Sequence, residues 1–119
     1  MLNTEALAAA GIDPEEGLAY CADDPEFYEE MLTEYVREAD AGIRELARFF
    51  GARDWRNYGI RAHALKSTSR TIGAQAFSEQ AREMEAAAKE GKEELLLSRH
   101  AAFTAEYAAL ADAIRRAIQ

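Results

Sequence analysis

Apolar residues recur along most of this chain at steps of three and four, the period of a helix with one buried face, and strand-like runs of β-branched residues are absent. The clearest stretch follows Asp24-Pro25-Glu26, which reads as an N-cap aspartate, a proline at the first helical position and an acid in the first turn. Tyr28, Met31, Leu32, Tyr35, Val36, Ala39, Ile43, Leu46, Ala47 and Phe50 then line one side, and Gly51 is the predicted stop. Asp54 caps a second long helix running to about Thr71, with Gly73 as its C-terminal stop. A third covers about Gln75 to Glu90, with Phe77, Ala81, Met84 and Ala88 inward and Gly91 at its end. The last runs from about Lys92 to the C-terminus and puts Leu96, Phe103, Tyr107, Leu110, Ile114 and Ala117 on one side. Ahead of these, Thr4 is the expected cap of a short helix ending at Gly11, and Asp13-Pro14-Glu15 starts another.

Four substantial amphipathic helices joined by short loops predict an all-α fold. The expected form is an antiparallel up-and-down four-helix bundle over residues 24–119, with the short helices of residues 1–23 packed on it as a lid. Its 119 residues, 49% hydrophobic, suit one core, and no repeat, low-complexity stretch or linker-like shift divides them, so one domain is expected over 1–119. No run of about 18 apolar residues marks a membrane span. The single cysteine, Cys21, cannot form an internal disulfide and reads as a small core or lid residue. With no leader-like opening, a soluble, cytoplasmic and monomeric protein is expected.

Charge sharpens this picture through its distribution. The net value of −8 argues against nucleic acid as a partner, which calls for a basic footprint. Between Arg53 and Gly73, however, Arg53, Arg56, Arg61, Lys66 and Arg70 oppose Asp54 alone, a local balance of +4 on an acidic body. Set on a wheel of about 100° per residue, Trp55, Tyr58, Ala62, Leu65, Ser69 and Ile72 gather on one side of this helix. His63 lies roughly opposite them, flanked within about 60° by Arg56, Gly59, Lys66, Ser67 and Arg70.

A histidine turned away from its helix's apolar stripe keeps a ring nitrogen available as a nucleophile toward phosphorus. Lys66, one turn on, stands where an ammonium can neutralise the equatorial oxygens of a transferring phosphoryl group, and Arg70 adds a weaker field. Gly59 and Ser67 are small enough to let a docking partner approach, although Gly59 costs the helix about 1 kcal/mol relative to alanine.

The run His63-Ala64-Leu65-Lys66-Ser67-Thr68-Ser69 followed by Ile72-Gly73-Ala74 resembles the signature of histidine phosphotransfer (HPt) domains. The likeness extends through the Gly17-Leu18 helix entry, the Asp24 to Phe50 helix, Asp54-Trp55 and Met84-Glu85, roughly from Ile12 onward. It implies that His63 is phosphorylated, that Lys66 is the lysine beside it, and that Glu85 hydrogen-bonds the imidazole from the next helix. It also implies a partner class, the receiver domains of response regulators or hybrid histidine kinases, which would bring their own magnesium. Ser67 departs from the glycine the family most often has there, and its hydroxyl offers an extra donor toward phosphoryl oxygens.

The function expected on this basis is relay: a receiver phosphoaspartate gives its phosphoryl group to His63 and a second receiver takes it. Two other readings stay open, a non-phosphorylated scaffold or inhibitor with the same bundle, and the phosphoacceptor domain of a larger kinase. No glycine-rich nucleotide loop is visible, so a carrier without its own ATP site and without a cofactor is expected. A carboxylate-bridged metal bundle would need Glu-x-x-His pairs, but Ile60 and Leu97 stand three residues before the two histidines, so no metal is expected. His100, between Leu96 and Phe103 on the apolar side of the last helix, reads as a partly buried structural residue. The acids from Glu79 to Glu94, interspersed with Arg82, Lys89 and Lys92, read as a solvated face with local pairs.

Overall fold

The computed structural model describes residues 2–119 and is all-helical, with six helices: α1 (Thr4–Ala9), α2 (Pro14–Tyr20), α3 (Pro25–Gly51), α4 (Trp55–Thr71), α5 (Gln75–Lys89) and α6 (Glu93–Ala117). Connections between the four long helices take only residues 52–54, 72–74 and 90–92. Helix α3 packs on α4 and α6, and α5 packs on the same two, so the four faces close on one core. Tyr28, Leu32, Leu46, Tyr58, Leu65, Met84, Leu96 and Ile114 are among its most buried side chains. The inward stripes expected of the third and fourth long helices are all buried. No helix among the described residues is long and apolar enough to cross a membrane.

Aspartate side chains start three of the helices as their positions predict. Asp13 accepts from the backbone N–H groups of Glu15 and Glu16, Asp24 from those of Glu26 and Phe27, and Asp54 from that of Asn57. Helix α1 is the exception to the expected caps: Asn3, not Thr4, accepts from Ala6 N–H at 3.0 Å, and the helix ends two residues before Gly11. Gly51 is the last residue of α3 rather than its stop, and Ala47, expected inside, is exposed. The left-handed turn falls on Arg53 (φ 55°), whose guanidinium donates to the Phe50 carbonyl at 3.0 Å and lies over the Phe50 ring. That bond offsets the strain of a non-glycine residue there.

Helix α2, through its cap, and the start of α3 are tied to the end of α4. Asp13 N–H donates to Gly73 O at 2.9 Å, and the Tyr28 hydroxyl donates to Ile72 O at 2.9 Å. Gly73 takes φ +90°, and a side chain there would collide with the Asp13 carbonyl, so glycine serves both the turn and the close approach. Asn3 N–H reaches Ala117 O at 2.8 Å, joining α1 to the far end of α6. Cys21 is fully buried beside α2, as expected of a small packing residue.

Candidate functional site

Helices α4 and α5 make the closest pairing in the molecule, and small residues are the cause. Gly59 was expected to give a partner clearance on the exposed strip. Instead it is buried and faces α5, where an added Cβ would stand 3.3 Å from the Ala88 Cβ. The room it provides is taken by α5, which brings Glu85 against the outer face of α4.

Glu85 is the centre of the site. Its side chain is only 6% exposed, and both oxygens are engaged: Oε2 accepts from His63 Nδ1 at 2.8 Å, and Oε1 accepts from Lys66 Nζ at 2.8 Å. Lys89, one turn along α5, puts its ammonium 3.1 Å from Oε2. Burial alone would raise this carboxyl, but the hydrogen bonds from Lys66, Lys89 and His63 outweigh it and bring the pKa down to about 2. An ionised carboxylate only accepts, so the proton between ring and carboxylate sits on His63 Nδ1. In the neutral ring that assignment leaves the lone pair on Nε2. The His63 side chain is 58% exposed.

The remaining residues of the expected strip divide. Arg56, Ser67 and Arg70 are exposed on the His63 face, and the Ser67 hydroxyl donates to the His63 carbonyl at 3.3 Å, within its own helix. Lys66 is less free than the wheel implied, 23% exposed and bonded to Glu85, while the Ser78 hydroxyl donates to its carbonyl at 2.8 Å. Arg61, counted in the basic segment but outside the strip, points away from His63. It turns toward α3, where the absent side chain of Gly42 makes room for its guanidinium, and lies 3.8 Å from Glu45.

A groove of about 600 Å³ opens beside His63, between α4 and α5. Trp55, Ile60, Gly59 and Ala88 form its apolar part, and Arg56, Lys89, Glu85 and His63 its polar part. Ile60 is 58% exposed and stands at the groove's apolar wall. Trp55 was placed on the core side by the wheel, and one edge does pack on Phe50 at 5.8 Å while another part lines the groove. Lys89 is the residue that sequence reasoning missed. Its position four residues after Glu85 was the available signal, but the pair was absorbed into a charged face that reads as solvated.

The second histidine lies elsewhere. His100 stacks on Phe50 at 3.9 Å between centroids, and its Nδ1 is 2.9 Å from the Tyr58 hydroxyl. Burial lowers its pKa, in keeping with the expected structural role. Among the described residues no group of three or more His, Cys, Asp or Glu side chains is arranged to hold a metal ion.

No curated protein and no solved structure matches the chain. A family model, the Hpt domain, matches residues 30–115, well over half of the sequence and all of α4 and α5. Given that match, the chain belongs to the Hpt domain family, whose members are histidine phosphotransfer carriers of phosphorelays that interact with receiver domains of two-component systems.

Proposed function

We propose that His63 is the phosphoacceptor of a multistep phosphorelay, taking its phosphoryl group from a receiver-domain phosphoaspartate and passing it to another receiver. In the forward step the Nε2 lone pair attacks phosphorus, the bond from phosphorus to the aspartyl oxygen breaks, and its electron pair stays on the aspartate. The Nδ1 proton remains in place, and the positive charge that the ring gains is met by Glu85. In the return step the second receiver's carboxylate attacks, and the N–P electron pair returns to Nε2. Lys66, from its place on Glu85, lends a positive field that attracts the negative oxygens of the phosphoryl group to the site. Arg56, Ser67 and Arg70 belong to the docking face, and Gly59 acts indirectly, by keeping α5 close.

One observation carries this reading: a ring held through Nδ1 by a carboxylate while more than half of its side chain faces solvent. The groove beside it supports docking, since it offers an exposed Ile60 within a basic rim to a partner of opposite charge. The same reading takes residues 1–119 as one domain with α3–α6 running up and down, supported by the short connections between them and by the backbone bond from Asn3 to Ala117. It takes the protein as a cytoplasmic, monomeric carrier without an ATP site. Incubation with a phosphorylated receiver should place acid-labile label on the wild-type chain. Undiminished label on His63→Gln would refute the assignment.

A further inference from the structure

The two lysines at Glu85 are not equivalent. Among the described residues Lys66 is the sole partner of Oε1, whereas Lys89 shares Oε2 with the ring. Withdrawal of Lys66 would strand one oxygen of a carboxylate that is 94% buried, the kind of loss that costs a buried group its full desolvation penalty. Withdrawal of Lys89 would leave each oxygen with one donor. Exposure follows the same division, 23% for Lys66 and 70% for Lys89, so the lysine that is cheaper to release is also the one free to move. Its ammonium is anchored through an oxygen that itself touches the ring, and its flexible four-carbon stem lines the groove beside His63.

We propose that Lys89 leaves Glu85 when His63 is phosphorylated and pairs directly with the phosphoryl oxygens, while Lys66 stays on Glu85 and holds the ring's carboxylate partner in position. The inference rests on His63 as phosphoacceptor and goes beyond it by assigning the direct phosphoryl contact to α5. Its chemical consequence follows from the charge of the bound group. Loss of a phosphoryl group through a loose transition state moves charge off the peripheral oxygens toward the leaving group. A cation on those oxygens therefore stabilises the phosphorylated ground state more than the transition state and lengthens its life. No bond is made or broken by Lys89.

The test uses the full chain and phosphoramidate, a small-molecule donor that needs no protein partner. Wild type should take up one acid-labile phosphoryl group and His63→Gln none. Phosphorylated Lys89→Met should hydrolyse about fivefold faster than wild type, the effect of losing one exposed ion pair. In 31P spectra the second ionisation of its phosphoryl group should move to higher pH, because the cation favouring the dianion is gone. Lys89→Arg should return both values toward wild type. A Lys89→Met lifetime and 31P midpoint equal to wild type would overturn the inference, with His63 intact as acceptor. Equal losses in the Met and Arg variants with an unmoved midpoint would mark a packing effect and overturn it too. Label persisting on His63→Gln would remove the acceptor reading and this inference together.

Discussion

The chain's two histidines both use Nδ1 for a hydrogen bond to another helix, yet they are left in opposite chemical situations. His63 meets a carboxylate, which cannot donate, so its tautomer is set and its other nitrogen is electron-rich. His100 meets the Tyr58 hydroxyl, which can donate or accept, so nothing in that contact sets the tautomer. Surroundings complete the contrast. Two lysines and Arg56 stand about His63, whereas His100 is sandwiched against Phe50 in an aromatic cluster where burial disfavours its charged form. What separates a reactive histidine from a structural one here is the kind of acceptor on Nδ1 and the charge around the ring, not the presence of a hydrogen bond.

The sharpest way to break this contrast is to exchange the fates of the two rings. His63→Gln should reduce receiver-derived label to background, and His100→Gln should retain at least about half of the wild-type initial rate. Next in size is the acceptor on Nδ1. Glu85→Ala should slow phosphoryl uptake at pH 7 by about tenfold or more, the scale of losing a carboxylate that orients a reactive imidazole, and Glu85→Gln should fall between Ala and wild type in the same time course. The spacing of α4 and α5 comes third. Gly59→Val should push against Ala88 and cost about 1–3 kcal/mol in denaturant unfolding, with a slower uptake rate because Glu85 is carried away from the ring.

Acid sensitivity separates the two sites by pH. The folded pKa of His100 is lowered, so the unfolded chain binds the extra proton first, and stability is lost as pH falls below the ordinary value of about 6.5. Glu85 is also lowered, from 4.5 to about 2, so its contribution is present above the first value and is lost only as pH falls between the two. Urea midpoints of His100→Phe should therefore vary less than those of wild type as pH falls below about 6.5. Glu85→Gln should flatten the profile only below about pH 4.5.

Much of this was legible because it rests on local chemistry. The caps at Asp13, Asp24 and Asp54 and the inward stripes of α5 and α6 are set by neighbours a few residues apart, which is the range over which a sequence speaks directly. His63's place outside the apolar stripe of α4 belongs to the same class. Glu85 was reached through family resemblance, since a contact 22 residues away leaves no periodic trace. Gly59 was misjudged for a related reason. A helical wheel gives a residue's bearing about its own axis but not which bearing the next helix covers. Helix α5 overlies the Gly59 side. Lys89 was hidden because an i,i+4 pair looks the same whether its acid faces solvent or is shut between two helices.

The chain holds one tryptophan, and it forms a wall of the groove beside His63. An indole at such a border changes its emission when water beside it is displaced, so the molecule carries its own optical gauge for whatever occupies that space. Adding a receiver should shift and saturate the Trp55 signal without any attached dye. Because this gauge stands apart from the ring's chemistry, His63→Gln should still register arrival while transferring nothing.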